Sequence, residues 1–221
     1  MNATINLENK HFPVLLNELI SIISPLYGGT FIDCTFGQGG YSEKILENKQ
    51  NNIIALDRDK DVLSSTAKFQ KKYDKRFKFY NLKFSQLDQI KLKNHKIKGI
   101  IFDLGYSFNQ IKNSQKGLSF FDKGKLNMRM GINDFSANEI ISSMDENNLA
   151  KVFKVFGDEK YSKKIAKKIV EKRKDKTIKT EDLVQIIDNV KKYQKTKIHN
   201  STKVFQALRI LVNKEVSELI N

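Results

Sequence analysis

Cysteine occurs once in the 221 residues, at Cys34. A single thiol excludes an internal disulfide and any zinc site built from several cysteines. Cys34 lies in an apolar stretch, where a buried inert thiol is favoured over a nucleophile. Histidine is almost as scarce. His11, His95 and His199 are far apart and lack metal-ligand spacing, so no metal is expected. No apolar run approaches transmembrane length, and the polar amino terminus MNATINLENK shows no signal peptide. Internal repeats and low-complexity segments are missing too. The expectation is a soluble cytoplasmic protein with no membrane partner.

Basic charge is plentiful. The chain carries 40 Lys and Arg against 25 Asp and Glu, a net charge of +15. Residues 1–110 hold 16 basic and 11 acidic groups, and residues 111–221 hold 24 and 14. The excess therefore concentrates in the second half. Such a balance favours a polyanionic partner, because phosphate contacts give affinity without reading sequence. Only five of the 40 are Arg, and Lys, Asn and Ile abound throughout. An AT-rich coding bias accounts for the charge equally well.

The chain is organised around FIDCTFGQGGY, residues 31–41. Phe31, Ile32 and Cys34 form a short apolar strand that Asp33 closes. Gly37, Gly39 and Gly40 then turn the chain into a helix carrying Ile45 and Leu46. A strand, a glycine turn and a helix make a ready nucleotide site, since glycine permits sharp turns and close approach. The third glycine of the dinucleotide fingerprint is absent. The order Asp-x-x-x-Gly-x-Gly points instead to S-adenosylmethionine, with a ligand-free αβ turn as the alternative. Asn52 to Leu56 reads as a second buried strand ending at Asp57, 20 residues after Gly37. At that interval an acid reaches the ribose hydroxyls of a bound nucleoside.

His11 to Leu16 precedes an amphipathic helix through Ile23, with Pro13 suited to its first turn. His11 is taken to lead into that helix rather than to meet a ligand. Residues 61–73 read as a helix and residues 77–82 as a third strand. Phe84 follows in the loop where an adenine would lie. A fourth strand over residues 98–104 brings Asp103 to the carboxyl edge. Four strands alternating with helices imply parallel βαβ units. Residues 111–134 lose periodicity and read as a long loop. Ser136 and Glu139 have the spacing of a capping box. Leu149, Val152, Phe153 and Phe156 form an apolar series that Gly157 breaks and Tyr161, Ile165 and Ile169 resume. Lys160, Lys163, Lys164, Lys167, Lys168 and Lys172 occupy the opposite face, which is either solvated or RNA-facing. Thr180 starts a further helix, residues 191–197 form a basic connection, and a last helix runs over residues 203–219.

These segments resemble the MraW/RsmH family. The resemblance rests on HFPVLLNE, FIDCTFGQGGYSEKIL, ALDRD, IIFDLGYSFNQI, KGLSFF with LNMRM, FGDEKYSKKIA and STKVFQALRILVNKEV, in order along almost the whole chain. It implies a Rossmann-like class I S-adenosylmethionine-dependent methyltransferase, an α/β fold with strands one to four present and an inserted all-helical domain. The implied division is a methyltransferase core over 1–112, a helical insertion on the RNA-substrate side over 113–202, and a return helix over 203–221. The implied activity is N4-methylation of one cytosine in the decoding region of bacterial 16S rRNA, within the small ribosomal subunit.

Carried over residue by residue, the resemblance places Gly39, Gly40 and Tyr41 at the methionine end of the cofactor. Asp57 is placed on its ribose and Phe84 near its adenine, with Asp103 and Gln110 completing the site. Asp103 is also the candidate catalytic acceptor. Arg129, Lys203 and Arg209 are candidate RNA contacts, and Arg209 could equally pair with a carboxylate. Tyr41 stands where the family has histidine. Asn127 and Gly131 stand where it has aspartates, and Asn200, Ser201 and Lys203 replace a Pro-Ala-Thr-Arg pattern. The family continues past the last helix into more sheet, so a truncated chain with an exposed apolar edge at Ile100 to Phe102 is expected. Two other readings stay open, a methyltransferase for another nucleic acid and a non-catalytic RNA-binding remnant. The basic helical half argues against a small-molecule substrate. A homodimer is left open.

Overall fold

A computed structural model describes residues 13–92, 95–192 and 198–220. His11 and residues 193–197 of the basic connection lie outside the described residues. The chain divides into two compact units between Gly105 and Tyr106.

The first unit is a parallel sheet with helices. Its elements run α1 (Leu16–Ile23), β1 (Gly29–Asp33), α2 (Gly40–Leu46), β2 (Asn51–Leu56), α3 (Leu63–Tyr73), β3 (Phe77–Tyr80) and β4 (Ile97–Ile101). The strand order is β3-β2-β1-β4. Residues alternate between the two faces of a strand, and the cores follow that alternation. Phe31, Ile53, Ala55, Phe77 and Ile101 pack with Ile45 and Leu46 of α2 and Phe69 and Tyr73 of α3. Ile32, Cys34, Ile54 and Leu56 face the other way, onto Ile90, Leu82 and Leu87. A sheet buried on both faces explains why β1 and β2 read as unbroken apolar runs.

The fourth strand is shorter than the expected 98–104. The last ladder bond runs from the Cys34 amide to the Ile101 carbonyl at 2.9 Å. Two residues on, the Asp103 amide donates to Thr35 Oγ1 at 2.7 Å, which takes the chain off the ladder. β4 stands at the edge of the sheet, and Ile100 and Phe102 are each 47% exposed there.

The second unit is helical, with α4 (Phe108–Lys112), α5 (Ala137–Ser143), α6 (Glu146–Gly157), α7 (Ser162–Lys172), α8 (Thr180–Val190), α9 (Thr202–Val212) and α10 (Glu215–Ile220). Leu149 and Phe153 of α6, Ile165 and Ile169 of α7, Leu183 and Ile187 of α8, and Val204, Phe205 and Leu208 of α9 fill its core. The capping box at the start of α5 forms as expected, with the Glu139 amide donating to Ser136 Oγ at 3.2 Å. Asp158, at φ +46, ends α6, and Gly157 before it is glycine for a packing reason. A Cβ there would come within 2.3 Å of the Lys203 carbonyl oxygen on α9. The expected long loop begins inside α4, because Ser107 caps that helix.

The last helix is two helices. Lys214 takes φ +50 between α9 and α10. Buried Asn213 spends its side chain elsewhere. Its Nδ2 donates to the Met128 and Arg209 carbonyls at 2.9 and 2.8 Å, and its Oδ1 accepts from the Met130 amide at 2.9 Å. That network fixes the 128–130 loop onto α9 and breaks the helix. Beneath α8, Lys191 Nζ donates to Glu159 Oε2 at 2.5 Å, and the two side chains are only 6% and 2% exposed. Among the described residues no helix is long and apolar enough to cross a membrane, and no group of side chains could hold a metal ion.

Candidate active site

In open α/β sheets, ligands bind beyond the carboxyl ends of the strands where strand order reverses. Here that place lies between β1 and β4. The sequence delivers three carboxylates to this edge: Asp33 at the end of β1, Asp57 after β2 and Asp103 after β4.

Asp57 organises the glycine turn. Its Oδ2 accepts from the Gly37 amide at 2.8 Å, and its Oδ1 accepts from the Asp59 amide at 2.8 Å. Burial nevertheless raises its pKa above the ordinary carboxylate range. A carboxylate has about four acceptor positions, so two backbone donors leave capacity for ligand hydroxyls. Gly37 takes φ +53, and a Cβ there would meet only the Thr35 carbonyl at 3.9 Å. The backbone at that point is open to an incoming group.

Gly39 and Gly40 are glycines for a different reason. A Cβ on Gly39 would lie 2.5 Å from the Phe69 ring and 2.7 Å from Phe36, and one on Gly40 would lie 2.2 Å from Pro13. These positions let α2 pack tightly against its surroundings. Tyr41, the next residue, is buried. Its hydroxyl donates to the Val14 carbonyl at 2.7 Å and lies 3.4 Å from Asp103 Oδ2. Burial and the nearby Asp103 carboxylate push the phenol up to about 12, so it stays a donor at neutral pH.

Asp103 itself is exposed, with its backbone held by Thr35. Phe84 begins a 3-10 turn and is half buried, with its ring edge-to-face with Phe102 at 5.5 Å. The remaining candidates lie in the second unit. Gln110 sits in the first turn of α4, where its Oε1 accepts from the Ser107 amide at 2.9 Å. Arg129 pairs with Glu139 at 3.3 Å. Lys203 bonds to the Asp158 carbonyl at 2.9 Å and to its carboxylate at 3.3 Å. Arg209 forms a two-point pair with Glu215 at 2.8 and 3.0 Å and stacks over Tyr106 at 4.8 Å.

Thr35 and Ser42 escape sequence reasoning as participants, and Asp33 enters it only as the acid of the Asp-x-x-x-Gly-x-Gly order. Asp33 is fully buried, accepts from Ser42 Oγ at 2.7 Å and from the Thr35 amide at 3.3 Å. Burial drives its carboxyl up to about 6. Thr35 in turn joins the β1 turn to the end of β4. The available signal was an acid inside an apolar strand, with hydroxyls two and nine residues on.

The sheet order, the glycine turn after β1 and the acid after β2 define a Rossmann-like class I methyltransferase fold. The model of the MraW methylase family matches residues 8–221, and the chain belongs to that family. Among its relatives is the ribosomal RNA small subunit methyltransferase H of Rickettsia massiliae (strain Mtu5). The two are 43% identical over 211 residues, which cover 95% of this chain and 68% of that protein. The enzymes of that name from Rickettsia canadensis (strain McKiel) and Rickettsia bellii (strain OSU 85-389) are each 41% identical over 214 residues. The match covers 96% of this chain and 69% and 70% of theirs.

Proposed function

We propose that the chain uses S-adenosylmethionine to methylate N4 of a cytosine in the decoding region of small-subunit rRNA. The observation that carries the reading is the Asp57–Gly37 hydrogen bond at the carboxyl edge of the sheet. It sets an acid and an open glycine turn side by side, in a chain 43% identical to a ribosomal RNA methyltransferase.

The donor set fits the cofactor. Asp57 keeps acceptor capacity for a ribose diol, and the backbone at Gly37 has room beside it. Phe84 offers an aromatic surface for the adenine. Gly39, Gly40 and Tyr41 flank the methionine end through their backbone. When bound, the cofactor supplies an electrophilic methyl group on a sulfonium centre. The acceptor amine is a weak nucleophile, because its lone pair is delocalised into the cytosine ring. Asp103 accepts a hydrogen bond from that amine, orients it, and takes its proton as the nitrogen gains the methyl group. Alignment and a preplaced acceptor then supply most of the acceleration. Reaching N4 requires the base to leave any stack. Arg129 and Lys203 contribute positive charge towards the RNA, while Arg209 is held by Glu215.

A methyl-transfer assay on small ribosomal subunits lacking the modification, with mass mapping of the product, tests this. The expected product is one methylated cytosine in the decoding region. No incorporation, or incorporation elsewhere, overturns the reading.

A further inference from the structure

One group of side chains in the helical unit reaches from the core out into solvent. Phe120 is half buried, with its ring edge-on to Phe205 of the core at 5.8 Å. His199 lies flat on Phe120, the rings 8° from parallel and 4.3 Å apart. Phe121 stands beside both, 4.7 Å from Phe120 and 5.7 Å from His199, and it is 79% exposed. His199 is exposed as well. An anchored ring thus carries an aromatic step that faces water.

His199 also lines a depression of about 160 Å³. Lys160, Lys191, Lys203, Glu159 and Asn200 contribute to its wall. Its charges can be assigned one by one. Glu159 is matched by Lys191 at 2.5 Å, and Lys203 pairs at 3.3 Å with Asp158, which Lys154 also approaches at 3.9 Å. The cations outnumber the acids, with Lys160 exposed at the rim. From Lys160 the exposed residues Lys163, Lys164, Lys167 and Lys168 continue along one face of α7 at helical spacing, while Ile165 and Ile169 are buried on the other.

Stacking surface beside a cationic groove is the chemistry that holds unpaired nucleic acid. We propose that this place binds a single-stranded segment of the RNA substrate. One unstacked base lies on the His199–Phe121 step, the adjoining phosphate sits over Lys160 and Lys203, and the backbone continues along the α7 lysines. The inference rests on the RNA-directed reading above and adds to it a holding point within the helical unit.

The test uses the 221-residue chain with a short oligouridylate and an RNA duplex of equal length. Phe121→Ala is expected to weaken oligouridylate binding about tenfold, the range for losing one base stack, and to leave duplex binding unchanged. The chain has no tryptophan. Phe121→Trp therefore gives a single indole, whose fluorescence oligouridylate should quench and an abasic ribose-phosphate oligomer should not. Lys160→Gln should lower the salt dependence of oligouridylate binding by about 0.7 in slope, one phosphate on a single strand. The inference is overturned if Phe121→Ala matches the parent on oligouridylate, if it loses equally on duplex, or if the abasic oligomer quenches as well. A parent that methylates small subunits while Phe121→Ala binds unchanged sinks this inference alone. A parent that neither binds RNA nor transfers methyl groups overturns the proposed function with it.

Discussion

The carboxylate of Asp57 accepts a hydrogen bond from the Gly37 amide at 2.8 Å, across 20 residues of sequence. This one contact joins the acid after β2 to the glycine turn after β1. Its other oxygen holds the Asp59 amide, so the acid is fixed by backbone on both sides. Charge-assisted bonds of this kind are worth about 1.5–3 kcal/mol each. Asp57→Ala removes the acceptor and loosens the turn. S-adenosylmethionine affinity should fall at least about 100-fold by calorimetry, with Asp57→Asn intermediate. Unchanged affinity in Asp57→Ala would remove Asp57 from the site.

Asp33 predicts a pH dependence. Its carboxyl lies at about 6 in the folded chain against an ordinary value of 3.8, because burial disfavours the charge. The folded state then holds this proton more tightly than the unfolded state. The stabilisation is complete below the unfolded value and is lost as pH rises through about 6. The difference amounts to about 3 kcal/mol at most. Asp33→Asn keeps partners for Ser42 and Thr35 and removes the titration. Denaturant unfolding of the parent and Asp33→Asn across this range should show the parent losing stability relative to the variant as pH rises. Parallel curves would contradict the assignment.

Tyr41→Phe deletes only the hydroxyl that holds the Val14 carbonyl at 2.7 Å. A neutral hydrogen bond of this kind contributes about 1 kcal/mol, and that loss should appear in chemical denaturation. The cofactor contacts proposed at this position are backbone ones. Affinity for S-adenosylmethionine should therefore change less than about fivefold. A larger drop would show that the hydroxyl, or its contact with Asp103, matters to binding.

Gly39→Ala tests packing under the turn. The new Cβ would lie 2.5 Å from Phe69 and 2.7 Å from Phe36, at φ +79. Crowding and backbone strain together should cost about 2–4 kcal/mol. A thermal midpoint equal to the parent's would show that the two rings can yield.

The buried Glu159–Lys191 pair makes an asymmetric prediction. Lys191→Met leaves Glu159 uncompensated and should destabilise by about 3–5 kcal/mol. Replacing both by Met removes both buried charges and should cost much less. A double variant as unstable as the single one would show that shape rather than charge governs the site.

The sequence by itself determined the strand–glycine-turn–helix unit, the second strand ending at Asp57, and most helix starts in the second half. These features are local. Apolar periodicity, glycines and capping residues act within a few positions, and the 20-residue interval from Gly37 to Asp57 follows from one βαβ repeat. Tertiary structure decided the rest. β4 stops at Ile101 because Thr35, a residue of another turn, takes the Asp103 amide two residues on. The final helix breaks at Lys214 because Asn213 is claimed by Met128 and Met130, more than 80 residues away in sequence. Asp33 reads as a strand end and proves to be a buried acceptor that ties Ser42 and Thr35 together. Arg209 pairs with Glu215, one of the two outcomes its sequence context allowed. Hydrogen-bond partners and burial depend on which distant segments meet, and no local pattern carries that information.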